Sequence, residues 1–136
     1  YRSSRGLGDV YKRQVNYKII VTSFNGDKEI NNLITSTIKR NNNESSNKTL
    51  NISFDTKYTK NILAKNAAGT ITDYQANVIT KFNIKREDGS ENFSINEKFN
   101  FKKMTDKYEE KNYERTIKKN LAESISQKLI LRLTVN

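Results

Sequence analysis

Residues 64–85 read AKNAAGTITDYQANVITKFNIK, a polar turn followed by a long stretch in which apolar and polar side chains alternate. A period of two commits a segment to a strand with one buried and one wetted face, because successive side chains leave the backbone on opposite sides. Here Tyr74, Ala76, Val78, Phe82 and Ile84 share one face. The preceding run behaves alike, with Ile52, Phe54, Tyr58, Ile62 and Ala64 on one side and Ser53, Asp55, Lys57 and Thr59 on the other. Asn66-Ala67-Ala68-Gly69 makes the turn between the two. Asp88-Gly89 is a strong hairpin signal, and the run beyond it puts Phe93, Ile95, Phe99 and Phe101 on one face. Glu97 interrupts that face, so this strand is expected to be frayed, bulged or at an edge there. The three runs predict an antiparallel meander with one polar face.

The flanks supply what covers the other face. Tyr17 to Thr22 (YKIIVT) is a short β-rich run closed by a turn at Asn25-Gly26. From Asp27 the apolar positions become Ile30, Leu33, Ile34 and Ile38, which is helical spacing, with Asp27 as N-cap and Glu29 in the first turn. The polar run Arg40 to Lys48 reads as a loop. A final helix from about Asp106 carries Tyr113, Ile117, Leu121, Ile125, Leu129 and Leu133, with Ala122 and Ile130 widening the stripe. Burying five aliphatic side chains contributes at most roughly 7–15 kcal/mol, enough to clamp a helix to a sheet. The expected architecture is one α+β domain, order β-α-β-β-β-α, with two helices packed on one face of a four-stranded mixed sheet. Strand order stays open beyond a right-handed crossover from the first strand.

Hydrophobic residues make up 34% of the chain and the mean hydropathy is −0.86, so the core must be thin and the fold marginal or supported by a partner. Residues 1–14 (YRSSRGLGDVYKRQ) lack periodicity and differ in composition from the Lys/Asn/Ile-rich remainder. They resemble sequencing-adapter read-through and are set aside as non-native, leaving residues 15–136 as the domain and implying a missing natural start. That segment holds +3 of the chain's +10, leaving +7. Such a surplus suits nucleic acid, phospholipid headgroups or a phosphorylated glycolipid, or else a solvated lysine-rich surface.

Catalysis finds no support. Histidine and cysteine are absent, which removes His-based triads, His-containing zinc sites, thiol chemistry and disulfides. The five glycines form no phosphate-binding pattern. The acids Glu87-Asp88 and Glu109-Glu110 belong to a turn and a helix surface. No window approaches the roughly 18 apolar residues needed to span a bilayer. Two basic groups stand out: Lys57, Lys60 and Lys65 towards the first long turn, and Lys102, Lys103, Lys107 and Lys111 around the start of the last helix. Lysines at one end of a sheet can grip phosphates or sugar acids through charge-assisted hydrogen bonds, or simply solvate a surface.

The run AKNAAGTITDYQ, the strand after it, the FNFKKM segment and the ending YERTIKKNLAESISQKLILRL together resemble the LptE family of outer-membrane lipoproteins. The likeness covers roughly residues 15–133 and follows the element order. Lys65, Asn66, Gly69, Thr70, Tyr74 and Gln75 stand where that family has a basic residue, an Asn-Gly-type turn and a Thr-x-x-Tyr-Gln-like strand start, with Ala67-Ala68 as an insertion. The resemblance implies a non-enzymatic role without cofactor: plugging and stabilising an LptD-like outer-membrane β-barrel and contacting lipopolysaccharide. It implies Lys65, Lys107 and Lys111 as ligand contacts, and Asn66, Gly69 and Thr70 as a partner-facing turn. Lys107 and Lys111 are only neighbours of the family's second basic position, which falls beside Glu110. It further implies a periplasmic-face location at the outer membrane, through a lipid anchor on a cysteine upstream of this sequence. The alternative is a basic nucleic-acid-binding module using Phe82, Phe93, Phe99 and Phe101 as a platform. The LptE-like reading expects no nucleic acid.

Overall fold

Gly26 closes the first strand with φ +102, a backbone state open mainly to glycine, and a Cβ there would sit 1.8 Å from the Thr56 carbonyl oxygen. This close approach lets the chain turn from strand to helix against its neighbour: the Asp27 N–H bonds the same carbonyl (3.1 Å) and its Oδ1 accepts from the Ile30 N–H (3.0 Å). A computed structural model describes residues 15–135. The elements are β1 (Lys18–Gly26), α1 (Lys28–Asn41), β2 (Thr49–Lys65), β3 (Ile71–Arg86), β4 (Gly89–Lys102) and α2 (Lys107–Val135). The proposed non-native segment, residues 1–14, lies outside the described residues.

The sheet order is β1-β2-β3-β4, with β1 parallel to β2 and the other pairs antiparallel. This is the expected β-α-β-β-β-α mixed sheet. β1 runs further than its apolar letters suggest, because Ser23 to Gly26 continue to pair with Ser53 to Thr56 after a register shift at Val21/Ser23. The turn residues Asn25-Gly26 therefore end a strand that is polar in its second half.

One sheet face and the two helices enclose the core. Ile30, Ile34 and Ile38 of α1 meet Leu50, Ile52, Phe54, Val78, Phe82 and Ile84 of the sheet and Ile117, Leu121, Ala122, Ile125, Leu129 and Leu133 of α2. In-register positions Phe24, Phe54, Phe82 and Phe93 line up across all four strands, with ring centroids 5.6, 5.6 and 5.3 Å apart. The Arg132 guanidinium lies 4.0 Å over Phe93 at the β4 end of this row. Thr56 and Thr80 share the buried face, and their hydroxyls pair at 3.1 Å, satisfying each other.

Three expected core positions fall outside the packed layer, Phe99 at 44% exposure among them. Ile62 is 53% exposed because β2 and β3 extend past the helices as a hairpin, so its inward side finds no helix above it. Tyr113 is half-exposed, its ring edge-on to Phe101 at 6.1 Å. Glu97 does not fray its strand: β4 pairs with β3 without a shift and Glu97 reaches up to α2, accepting from the Ser124 hydroxyl and from Lys128 Nζ (2.8 Å). The interruption marks an edge strand.

Candidate functional site

The β2–β3 tip is shaped by Asn66. Its Oδ1 accepts the N–H groups of Ala68 and Thr70 (both 3.0 Å), its N–H donates to the Thr70 carbonyl (2.9 Å), and its carbonyl accepts from Gly69 (3.0 Å). An Asx-type turn of this kind needs a left-handed residue, and Gly69 supplies it at φ +83. Residues 65–70 are all exposed. Asn66 and Gly69 are thus committed to holding the turn, which presents Lys65 and Thr70 to solvent.

At the start of α2, Asp106 Oδ1 accepts from Tyr108 (2.8 Å) and Glu109 (3.3 Å), capping the helix. Lys107 and Lys111 are exposed on its first two turns. The neighbouring acids face the sheet. Glu110 accepts from the Met104 N–H (2.7 Å) and meets Lys60 Nζ at 3.2 Å, and Glu114 meets Lys60 at 3.3 Å and the Tyr58 hydroxyl at 2.5 Å. The Lys60 ammonium also lies 4.2 Å over the Tyr74 ring. Alongside, Lys118 bonds the N-cap Asp27 of α1 at 2.8 Å and lies 4.7 Å over Tyr58.

The electrostatics of this cluster suit a clamp. Burial pulls the Lys60 ammonium down, but hydrogen bonds to Glu110 and Glu114 and their charges outweigh it and hold it above the ordinary lysine value. The Met104 N–H, and after it Lys60, hold the Glu110 carboxyl below the usual range despite burial. Burial, then the hydrogen bond to Glu114 and the charges of Glu114 and Asp27, push the Tyr58 phenol up.

The three expected ligand lysines stand at one end of the molecule and are not gathered into a pocket. Lys65 lies five strand residues beyond Lys60, roughly 16 Å at about 3.3 Å per residue, whereas Lys107 and Lys111 belong to the helix that starts above Lys60. The basic group Lys57, Lys60 and Lys65 splits by direction: Lys57 points to the uncovered sheet face, Lys60 under α2, Lys65 to the tip. Tyr58, Lys60, Glu110 and Glu114 were absent from the expected site. Parity was the available signal for Lys60, since it shares a strand face with Phe54 and Tyr58.

The sheet face away from the helices is the second surface. Ser23, Asn25, Ser53, Asp55, Lys81 and Asn83 help line an open trough of about 480 Å³. Six lysines (18, 57, 81, 85, 98 and 102) stand on this face against Asp55 and Asp73. Among the described residues no group of His, Cys, Asp or Glu is placed to hold a metal ion, and no helix is long and apolar enough to cross a membrane. Phe82 and Phe101 are 2% and 4% exposed beneath the helices, and Phe93 shares their face. Phe99 alone of the four rings expected to form a base-stacking platform is exposed, at 44%, so the four are not presented to solvent together.

No protein-family model matches the chain, and no curated protein sequence does. Its fold does match solved structures. Rare lipoprotein B from Shewanella oneidensis superposes with a TM-score of 0.58 at 13% identity, covering 81% of this chain and 93% of that one. A minor lipoprotein from Acinetobacter baumannii gives 0.56 at 12%, covering 85% and 94%. Uncharacterized lipoprotein B from Nitrosomonas europaea gives 0.54 at 13%, covering 86% and 84%. The chain shares its fold with bacterial lipoproteins of the rare lipoprotein B type.

Proposed function

We propose that this chain is a non-enzymatic component of lipopolysaccharide assembly: a lipid-anchored domain on the periplasmic face of the outer membrane. It plugs and stabilises an LptD-like β-barrel and contacts lipopolysaccharide. The observation that carries the reading is the fold shared over at least 81% of this chain and at least 84% of each neighbour with lipoproteins of the rare lipoprotein B (LptE) type. The LptE-like run from Lys65 to Gln75 supports it, and its basic residue stands exposed on a rigid tip. A thin core is tolerable for a domain enclosed by a partner, since binding to the folded state adds to its stability. Lysines suit the phosphates and sugar acids of the glycolipid.

The test is co-expression with the LptD-like barrel of the same genome. The two chains should co-purify, and Lys65→Asp should weaken lipopolysaccharide binding while leaving recovery of the barrel unchanged. Recovery without any barrel, together with salt-sensitive RNA binding tighter than lipopolysaccharide binding, would sink the reading.

A further inference from the structure

The two helices leave an open groove of about 440 Å³ between them, lined by helix residues alone. Glu29, Asn32 and Leu33 of α1 and Arg115, Lys118 and Lys119 of α2 help to line it. Its floor is apolar: Leu33 is half-buried and packed against the core, and the long lysine and arginine stems add methylene surface. Lys118 is a wall and no more, because its ammonium is held by Asp27 at 2.8 Å and lies over Tyr58.

Arg115 and Lys119 are different. Arg40 donates to Thr37, and Arg86 and Arg132 both meet Glu91, which leaves Arg115 as the one arginine without a polar partner among the described residues. Its neighbours one turn away on the helix are Lys111, Asn112, Lys118 and Lys119. Lys107, Lys111, Arg115 and Lys119 thus repeat every four residues, all exposed, with Cβ atoms about 5–6 Å apart. Like charges at that spacing repel, which costs the helix stability. The acids of this half of α2 do not relieve it, since Glu110 and Glu114 are drawn under the helix to Lys60. Glu29 across the groove and Glu123 one turn beyond Lys119 make no ion pair with either cation.

We propose that this groove takes an amphiphilic anion, with a phosphate held between Arg115 and Lys119 and an apolar chain laid over Leu33. The proposal rests on the lipopolysaccharide reading above and deepens it: the ligand is the phosphorylated, acylated end of that glycolipid, at a site separate from the Lys65 tip. An unpaired guanidinium offers a phosphate two parallel N–H donors, which a lysine alone cannot. A phosphate there would also relieve the repulsion along the row. A nucleic acid would use the cations and leave the apolar floor wet, so the floor favours a ligand with a chain.

The whole chain is titrated with lipopolysaccharide and with the same glycolipid stripped of its acyl chains. The parent should prefer the acylated form about tenfold or more. Arg115→Glu combined with Lys119→Glu should weaken both about three- to thirtyfold, also in a Lys65→Asp background. Lys39→Glu combined with Lys48→Glu, exposed and outside the groove, makes the same change in net charge and should cost less. Leu33→Asn should shrink the acyl preference and leave binding of the stripped form unchanged. Should that variant not fold, Asn32→Trp, which fills the groove from its exposed rim, carries the same expectation. Equal losses in the two charge-reversed pairs, or an acyl preference absent or indifferent to the groove variants, would overturn the proposal and leave the lipopolysaccharide reading standing. A parent that binds neither form overturns both.

Discussion

Gly26 is the residue at which this fold tolerates least. Any side chain there meets the Thr56 carbonyl oxygen, 1.8 Å from an ideal Cβ, while its φ of +102 is itself unfavourable for an L-residue. The carbonyl cannot retreat, because it accepts the Asp27 N–H that starts α1. Gly26→Ala is expected to cost about 2–4 kcal/mol, combining backbone strain and overpacking. A lowered urea midpoint at unchanged slope reads it out. Thr56 and Thr80 give a contrasting case. Their hydroxyls pair at 3.1 Å inside the core, so Thr80→Val strands the Thr56 hydroxyl at a cost of about 1–3 kcal/mol. The double variant with valine at both positions should return close to the parent, because no buried polar group is then left unpaired. A double variant as unstable as the sum of the singles would show that the hydroxyls serve something other than each other.

At the scale of elements, α2 is held by an apolar ridge and by carboxylates that bridge it to the sheet from either side. The ridge was readable because Ile117, Leu121, Ile125, Leu129 and Leu133 recur every four residues, and all five are buried. The acidic hooks were not readable, because a glutamate that breaks a strand pattern looks the same whether the strand frays or a helix supplies its partner. Glu97 is held below the ordinary glutamate value by Lys128 and then Ser124, against burial, and Glu110 by the Met104 N–H and then Lys60. A carboxyl depressed in the folded state stabilises it fully above the ordinary value of 4.5, and that contribution disappears as pH falls through the folded value. Acidification below about 4.5 should therefore lower the urea midpoint. Glu97→Gln should flatten that acid slope while lowering stability at neutral pH. An acid slope identical in the variant would remove Glu97 from the account.

The whole molecule is a two-layer slab with helices on one side and a bare sheet on the other, and the sequence conveyed this through parity. Strand faces such as Tyr74 to Ile84 assigned themselves by alternation, and both helices had a single apolar stripe to lay on one sheet face. The β1 pairing and the hairpin overhang at Ile62 depend on tertiary register and on where a helix begins, so local pattern left them open. Function was less legible still, since exposed lysines such as Lys65, Lys107 and Lys111 obey no packing constraint. The slab nevertheless divides its charge: the bare face carries six lysines against Asp55 and Asp73, more than half of the +7 borne by residues 15–136. If lipopolysaccharide is drawn by this field, affinity should fall as salt screens it, since exposed charges beyond about 8–10 Å are largely screened at physiological ionic strength. Lys57→Glu combined with Lys85→Glu, both exposed and remote from the tip, should weaken binding about three- to tenfold and flatten its salt dependence. Lys65→Asp alters the tip and leaves the face intact, so the two variants separate steering by the sheet from grip by the turn. Binding that loses affinity in the tip variant but keeps its full salt dependence in the face variant would assign the ligand to the turn alone, with the lysines of the bare sheet serving only to keep it wetted.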